Sequence, residues 1–421
     1  MGSIIHQLLR KYLYSIPKLK KFEINFQKLL TFRYIYVKSI KNNVILYRKM
    51  IKNLLKDIDE ILLMGPGPSC ISDRVYKALS CKTLGHMDYY FIQIMDEIKT
   101  MLQEILGTNN RLTLPISGTG SAGMEACFVN LIEPGDSVLI LINGVFGKRM
   151  EDVALRLGAK VDTIEFEWGE PVEPDRVANK LINNHYKIVA IVHAETSTGV
   201  KNPVGAIGKL LREYEALYLV DTVTSLGGMP VEADRWGVDA MYSGTQKCLS
   251  CPPGLSPVTF SERALQTIKD RRSKVPNWYL DMNLIIQYWE GNKRVYHHTA
   301  PVNMLYALYQ ALILIIEEGL EKVYNRHVEA HQILVKGLEG MGLEMLVSPQ
   351  YRLPMLNSVK ILNGVDEKWV RNSLRKDYLI EIGGGLGKLA GKVWRIGLMG
   401  HTAKEENVER LLFALEELIV N

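Results

Sequence analysis

The sequence predicts an α/β fold, in which a mostly parallel β-sheet is covered by helices on both faces. From residue 58 onward, short apolar runs alternate with amphipathic stretches of helical spacing. This alternation is typical of parallel sheets, because each helix returns the chain to the end of the sheet where the next strand starts. A chain of 421 residues also exceeds what one small core accommodates, so a large domain and a smaller one are expected.

The predicted strands and helices alternate between residues 123 and 260. The strands are residues 137–142 (SVLILI), 187–194 (KIVAIVHA), 216–221 (ALYLVD), 239–244 (DAMYSG) and 257–260 (PVTF). The helices are residues 123–132, 146–158 and 202–215. Ligands in sheets of this kind bind beyond the carboxyl ends of the strands.

The C-terminal part has longer helices and fewer strands, which predicts a smaller α+β domain. We place the large domain at residues 58–318 and the small one at 319–421. The last helix is predicted to begin with a capping box of Thr402 and Glu405 and to be apolar along one face. The residues of that face are Val408, Leu411, Leu412, Leu415 and Ile419. The longest apolar stretch, residues 304–316, is too short for a bilayer span, so a buried helix is expected there.

Residues 1–57 are expected to form a basic, poorly ordered extension. Residues 1–56 hold thirteen Lys and Arg and one acid, a charge of +12 that leaves −7 for the rest of the chain. The body is therefore mildly acidic, which argues against nucleic acid as a partner. An organelle presequence, a membrane-surface segment and a dispensable tail all remain open, although the excess of Lys over Arg disfavours a transit peptide. The expected location is cytoplasmic, with a mitochondrion or another organelle as the alternative, and no membrane partner is expected.

Five cysteines and the lack of a secretory core at the start of the chain predict a reduced, intracellular protein. Cys248 and Cys251 match half of a zinc site, but no second cysteine pair or suitably spaced histidine completes four ligands. We therefore expect both to be bystanders and expect no metal.

Residues 117–126, SGTGSAGMEA, carry a phosphate-binding motif. Gly118, Gly120 and Gly123 spell G-x-G-x-x-G after an apolar run. A dinucleotide site would need an acid at the end of the next strand, where Asn143 stands instead, and a Walker loop would need a lysine after the glycines. A glycine-rich turn that leads into a helix still offers free backbone amides to a phosphate, although such a loop can also be a plain tight turn.

Asp221 and Lys247 extend this motif to a cofactor site. Asp221 ends one predicted strand, and Lys247 follows the next. Pyridoxal 5'-phosphate (PLP) needs a lysine amine that bonds its aldehyde, a carboxylate that keeps its pyridine nitrogen protonated, and an anchor for its phosphate. The glycine-rich loop and these two residues supply all three, and the combination is much more specific than any member.

Several longer stretches carry a resemblance to a known family. They are LLMGPGPS (62–69), MDEIK (95–99), SGTGSAGMEA (117–126), EPGD (133–136), HAETSTG (193–199), VDTVTSLGG (220–228), YSGTQK (242–247), NWYLDM (277–282), YHHTAP (296–301) and GKVWRIGLMG (391–400). With them the sequence resembles the class V aminotransferases of the aspartate-aminotransferase-like PLP-dependent transferase fold (fold type I), and within these the alanine-glyoxylate and serine-pyruvate aminotransferases. The resemblance covers the body but not the basic extension, and it implies a seven-stranded sheet.

The resemblance implies roles for the residues around the PLP ring. Lys247 would bond the cofactor and carry the proton between substrate and cofactor, and Asp221 would pair with the pyridine nitrogen. Val223 would press on one ring face, and Phe146 would stack on the other, where some relatives have Trp. Thr196 would bind near the phenolic oxygen or the substrate.

The resemblance also implies the phosphate contacts and a homodimer with composite active sites. Thr119, Gly120, Ser121 and Gln246 would hold the phosphate, with Ser121 standing where relatives often have His. Tyr296 and Thr299 would reach the phosphate of the other subunit.

Arg395 interrupts the strand-like run VWRIGL, where a charged side chain is costly unless it is paired. A guanidinium matches a carboxylate with two parallel hydrogen bonds, so the α-carboxylate of a substrate is the expected partner. A buried structural ion pair is the alternative.

The resemblance implies transamination from alanine or serine to glyoxylate or pyruvate by a ping-pong mechanism, in glyoxylate metabolism or photorespiration. A kynurenine or aminophosphonate donor remains an alternative, because one arginine binds any α-carboxylate. Cysteine desulfurase chemistry is disfavoured, since all five cysteines precede residue 252. A binding protein with a decayed site would lack Lys247 or Asp221, and both are present.

Overall fold

A computed structural model describes residues 54–291 and 293–419. Residues 1–53 of the predicted extension (1–57) lie outside the described residues, and so do the predictions of poor order and of targeting for them. The chain divides into two compact units, Met1–Asp59 and Glu60–Asn421. In the first unit Leu54–Asp57 forms a 3-10 helix, and the second unit contains the sheets and the site.

The described strands include every strand that the sequence predicts. They are β1 (Leu62–Leu63), β2 (Leu112–Ser117), β3 (Ser137–Ile142), β4 (Lys160–Glu165), β5 (Ile188–Val192), β6 (Ala194–Glu195), β7 (Val200–Lys201), β8 (Leu217–Asp221), β9 (Ala240–Tyr242), β10 (Leu255–Phe260), β11 (Leu356–Lys360), β12 (Ile380–Glu381), β13 (Gly383–Gly384) and β14 (Val393–Gly397).

The helices cover the large sheet and build the C-terminal part. They are α1 (Asp73–Leu79), α2 (Tyr89–Leu106), α3 (Gly120–Leu131), α4 (Val145–Arg156), α5 (Pro174–Ile182), α6 (Val204–Leu211), α7 (Ala233–Trp236), α8 (Glu262–Lys269), α9 (Met282–Trp289), α10 (Val302–Glu318), α11 (Leu320–Gly340), α12 (Glu367–Asp377) and α13 (Glu405–Ile419).

The central sheet has seven strands in the order β2-β10-β9-β8-β5-β3-β4. Strand β10 runs antiparallel to both of its neighbours, and the other neighbouring pairs are parallel. The predicted seven-stranded, mostly parallel sheet is therefore confirmed. Strands β5 and β8 are buried along their whole length, which explains why they appear in the sequence as unbroken apolar runs. Pro115 is tolerated in β2 because that strand lies at an edge of the sheet.

A second buried cluster lies in the C-terminal part. Helices α11 and α13 contribute Leu334, Leu338 and Leu411 to it, and strand β14 contributes Trp394. Leu62 also belongs to this cluster, because β1 pairs in parallel with β12. The chain therefore enters this core near residue 62 and returns to it after residue 318, while the limits of the two domains stay a prediction.

The predicted capping box at the last helix is wrong. Helix α13 begins at Glu405, and Thr402 lies in the preceding 3-10 turn. The Thr402 hydroxyl instead accepts a hydrogen bond of 3.1 Å from the backbone amide of Cys70. The apolar face is formed as expected, with Val408, Leu411 and Leu415 buried.

The apolar stretch at residues 304–316 lies within α10, which buries Leu305, Leu308 and Leu312. Within residues 54–291 and 293–419, no helix combines the length and the apolar character that a membrane span requires.

Candidate active site

The carboxyl ends of five parallel strands meet at one cavity of about 230 Å³. Strands β2, β3, β5, β8 and β9 share a direction because β10, which lies between β2 and β9, runs against both. The loops after these strands therefore converge at one edge of the sheet. The residues that line the cavity are Thr119, Gly120, Ser121, Met124, Phe146, Arg149, Val192, Ala194, Thr196, Asp221, Val223, Thr224, Tyr242, Gln246 and Lys247.

The glycine-rich loop joins β2 to α3, and Thr119 is the N-cap residue of that helix. The first amides of a helix have no partner within it, so they remain available to a phosphate. A Cβ atom at Gly120 would lie 3.4 Å from both Ser243 O and Val223 Cγ2, and a side chain there would narrow the cavity. A Cβ atom at Gly123 would lie 2.0 Å from Ser256 Oγ, so this third glycine serves the packing of α3 on the sheet.

Asp221 ends β8, and its buried side chain lines the cavity. One carboxylate oxygen accepts a hydrogen bond of 2.7 Å from the backbone amide of Val223. Burial raises the pKa of Asp221 to about 6, against the Val223 hydrogen bond and the charges of Lys247 and Arg149, which lower it. A buried carboxylate of this kind is stabilised by a cationic group, as a protonated pyridine nitrogen would be.

Lys247 follows β9, and its half-buried side chain lines the same cavity. Burial lowers the pKa of its amine to about 8. The amine donates a hydrogen bond to the carbonyl oxygen of Pro66, and a Cβ atom at Gly67 would lie 2.5 Å from Nζ. Ser69 Oγ donates to the carbonyl oxygen of Lys247 across 2.8 Å. The stretch LLMGPGPS therefore shapes the surroundings of the lysine.

Phe146 lies in the first turn of α4, and both it and Val223 line the cavity. The guanidinium of Arg149 lies 5.0 Å from the centroid of the Phe146 ring, a cation–π contact. Gln246 also lines the cavity, and its buried Oε1 has no hydrogen-bond partner among the described residues. This oxygen is an acceptor, so it is available to a ligand that donates a hydrogen bond.

Arg395 is buried in the middle of β14. Its Nε donates to Gly384 O across 2.8 Å, and its Nη1 donates to Thr196 O across 3.2 Å. Burial lowers the pKa of the guanidinium to about 10. Among the described residues, no carboxylate forms an ion pair with it. Three of its five N–H groups are therefore left for another acceptor.

Tyr296 and Thr299 lie outside this cavity and are exposed. The Tyr296 hydroxyl lies 3.3 Å from the Thr299 hydroxyl. The same segment is joined to the end of β2, because His298 Nε2 lies 2.7 Å from Ser117 Oγ. The structure thus brings together all the predicted cofactor residues except this pair, which was expected to act on another subunit.

The cysteine pair beside Lys247 is buried. The Cys248 thiol donates to the carbonyl oxygen of Thr224 across 3.1 Å. In the described part of the chain, no group of three His, Cys, Asp or Glu side chains is placed to hold a metal ion.

Six of the lining residues were not among the predicted site residues: Met124, Arg149, Val192, Ala194, Thr224 and Tyr242. Arg149 follows Phe146 by three residues on one helix, so helical spacing places both on one face and was a usable signal. Tyr242 ends the buried strand β9. The sequence of this strand does not indicate that the Tyr242 side chain lines the cavity.

These residues fit PLP. The cavity offers helix amides for a phosphate, a buried carboxylate for the ring nitrogen, and an amine with a lowered pKa for the aldehyde. The fold and this cavity together define a PLP-dependent transferase of the aspartate-aminotransferase-like fold.

The chain belongs to the class V aminotransferase family, whose model matches residues 73–411. It is 42% identical to the alanine–glyoxylate aminotransferase of Mus musculus over 361 residues, which are 85% of this chain and 87% of the relative. The crystal structure of an alanine–glyoxylate aminotransferase from Nostoc sp. has a TM-score of 0.86 and 48% identity, covering 89% of this chain and 98% of that one. A ureidoglycine-glyoxylate aminotransferase from Bacillus subtilis has a TM-score of 0.85 and 40% identity, covering 86% and 94%. The prediction of a class V aminotransferase is therefore confirmed.

Proposed function

We propose that this aminotransferase uses PLP to transfer the amino group of alanine or serine to glyoxylate or pyruvate. The observation that carries the proposal is that Lys247, Asp221 and the amides at Thr119–Ser121 line one cavity of about 230 Å³. The names of the relatives support the substrates, because the mouse and Nostoc proteins are alanine–glyoxylate aminotransferases.

Asp221 and Lys247 perform the acid–base work. Bound PLP supplies a ring that takes up the electron pair left when the Cα–H bond of the substrate breaks. The Asp221 carboxylate keeps a proton on the ring nitrogen, which makes the ring a better acceptor of electrons. The pKa of the Lys247 amine is about 8, so Nζ could take the proton from Cα of the substrate and deliver it to the former aldehyde carbon of bound PLP.

Arg395 orients the substrate. Its Nε and one Nη1 hydrogen are used by Gly384 O and Thr196 O, so the guanidinium is held in place before a substrate arrives. The remaining N–H groups can bind the α-carboxylate of an amino acid or of a 2-oxo acid. Donor and acceptor would therefore bind at one site in turn, the second after the product of the first has left, as ping-pong kinetics require.

A second candidate donor is (S)-ureidoglycine. A Bacillus subtilis (S)-ureidoglycine–glyoxylate transaminase is 39% identical over 376 residues, and its name shares only the acceptor with the alanine enzymes. Glyoxylate is therefore the better supported acceptor, and kynurenine or an aminophosphonate are weaker candidates for the donor. Glyoxylate metabolism, including photorespiration, is the setting that such an acceptor suggests.

We extend the proposal to a homodimer with composite sites. Its support is the exposed pair Tyr296 and Thr299, whose segment is joined to the end of β2 beside the phosphate loop. Trp278, 63% exposed, stacks on His297, the neighbour of Tyr296, so a large aromatic side chain is exposed next to this segment. A cytoplasmic location stays a proposal, to be tested by fractionation with and without residues 1–53.

The substrate assignment is tested by single-turnover mixing. The purified PLP-loaded protein is mixed separately with alanine, serine, (S)-ureidoglycine, glutamate and kynurenine, and the loss of the visible cofactor band is followed. Alanine or serine should give the fastest loss, and glyoxylate should restore the band. Indifference to both alanine and serine, with a fast reaction of another donor, would overturn the proposed donor.

A further inference from the structure

Glu195 is a buried carboxylate beside the cofactor cavity whose function the proposed chemistry leaves unexplained. It ends the short strand β6 and is fully inaccessible to solvent. Burial raises its pKa to about 7, against hydrogen bonds from Ser197 and Gly147. A carboxylate is costly to bury, so its contacts must compensate.

Every hydrogen-bond partner of this carboxylate is a donor. Oε1 accepts from Ser197 N across 3.1 Å and from Ser197 Oγ across 2.5 Å. Oε2 accepts from Phe146 N across 3.2 Å and from Gly147 N across 3.4 Å. Four donors around two oxygens match an ionised carboxylate. A glutamine at this position would place its NH₂ group, which is itself a donor, against two of these four donors.

The carboxylate connects two loops that carry cavity residues. Phe146 N and Gly147 N belong to the first turn of α4, where a negative charge is favourable. Ser197 Oγ, which donates to Glu195, accepts from Val145 N across 2.9 Å and so adds a second link to the same turn. A Cβ atom at Gly144 would lie 2.3 Å from Glu195 Cδ, so the residue before α4 has room for no side chain.

The neighbour of Glu195 extends the connection to the substrate arginine. Thr196 lines the cavity, and its carbonyl oxygen accepts the hydrogen bond from Arg395 Nη1. The charge of Glu195 also favours the charged form of Arg395. The segment of residues 195–197 therefore contacts both the first turn of α4, which contains Phe146, and the guanidinium of Arg395.

We infer that Glu195 is a positioning residue for transamination: its carboxylate fixes Phe146 at the cofactor and the Thr196 carbonyl under Arg395. The inference rests on the proposed function, because it assigns to Phe146 and Arg395 their contacts with cofactor and substrate. Loss of the charge should therefore weaken both PLP binding and amino-acid binding, beyond any loss of stability.

The test compares Glu195→Gln with a matched control, Glu133→Gln. Glu133 is also buried and accepts hydrogen bonds of 3.1 Å from Ser273 N and Ser273 Oγ, but it lies outside the cavity. The dissociation constant of PLP is measured by equilibrium dialysis against apoprotein, together with the visible circular dichroism of the bound cofactor and the KM for alanine. Glu195→Gln should raise the dissociation constant and the KM about ten-fold or more and weaken the dichroism. Glu133→Gln should change none of the three.

Ser197→Ala provides a milder variant if Glu195→Gln fails to fold. It removes one donor to the carboxylate and the link to Val145 N, and it should shift the same three quantities in the same direction by a smaller factor. Wild-type values in whichever of these variants folds would overturn the inference and leave the proposed function intact. Failure of the wild-type protein to bind PLP would overturn the proposed function, and this inference with it.

Discussion

Arg395 Nη1 donates a hydrogen bond of 3.2 Å to the carbonyl oxygen of Thr196. This bond joins β14, in the C-terminal core, to the loop after β6, at the carboxyl edge of the central sheet. The guanidinium of Arg395 is thus held by Thr196, a residue that lines the cavity. Both acceptors of the Arg395 guanidinium, Gly384 O and Thr196 O, are backbone carbonyl oxygens. The position of the guanidinium therefore does not depend on the rotamer of another side chain.

Replacing Arg395 with lysine should raise the KM for the amino donor about 10- to 100-fold, because the paired hydrogen bonds to the α-carboxylate, worth about 1.5–3 kcal/mol, are lost. The KM for glyoxylate should rise in parallel, since the same guanidinium binds both. Steady-state kinetics at several concentrations of each substrate measure the change. Arg156→Lys is the control, because Arg156 is exposed and its one ion pair within residues 54–291 and 293–419 is with Asp152. An unchanged KM in Arg395→Lys would contradict this role.

The covalent attachment of PLP to apoprotein should speed up as the pH rises through about 8. Burial lowers the pKa of Lys247 to that value, so above it the neutral, nucleophilic amine predominates. The pKa of Lys247 is lower in the folded protein than in the unfolded chain, so between pH 8 and about 10.5 the unfolded chain binds more protons. The free energy of unfolding of the apoprotein should therefore rise with pH over this range. Stopped-flow absorbance after mixing with PLP measures the rate. If the rate instead keeps rising steeply to pH 10, the pKa of Lys247 is not lowered, which would contradict this prediction.

Asp221→Asn should leave PLP attached to Lys247 but lower kcat by roughly 10²–10⁴-fold, the range for loss of one acid–base group. An amide cannot hold the ring nitrogen protonated, and the ring then accepts electrons poorly. Single-turnover rates with alanine and the cofactor content are measured on the same preparation. A variant with full cofactor and a wild-type rate would remove Asp221 from the mechanism.

Gly123→Ala should destabilise the protein by about 1–3 kcal/mol, because the added methyl overlaps Ser256 Oγ, 2.0 Å from the Cβ position, and pushes α3 from the sheet. Urea unfolding of the apoprotein measures the free energy. Gly340→Ala is the matched control, since no heavy atom lies within 4 Å of its Cβ position, and it should leave stability equal or slightly higher. Equal stability in the two variants would contradict the packing role of the third glycine.

Mixing two subunit variants tests the composite site. In a dimer of a Lys247→Ala chain with a Tyr296→Ala chain, one of the two sites keeps both residues. The mixture should recover roughly a quarter of wild-type activity after dissociation and random reassociation, against little in either variant alone. Activity that only averages those of the two variants would mean that Tyr296 acts within its own subunit or not at all.

The sequence predicted the sheet well, because parallel strands buried on both faces appear as continuous apolar runs. Residues 137–142 form β3 with the predicted bounds, and Asp221 and Lys247 line one cavity because strand ends converge in this topology. The capping box at Thr402 failed, since its hydroxyl bonds Cys70, a residue 332 positions earlier. The hydrogen bonds that Glu195 accepts from Phe146 N and Gly147 N could not be predicted, because their donors are backbone amides that any sequence provides.

The central claim is that Lys247 is the residue that bonds the cofactor. The direct measurement is borohydride reduction of the PLP-loaded protein, followed by proteolysis and mass spectrometry of the peptides. The account predicts one pyridoxyl phosphate group per chain, on Lys247, and none in a Lys247→Ala variant. Attachment to another lysine, or a wild-type protein that takes up no PLP after reconstitution, would contradict it.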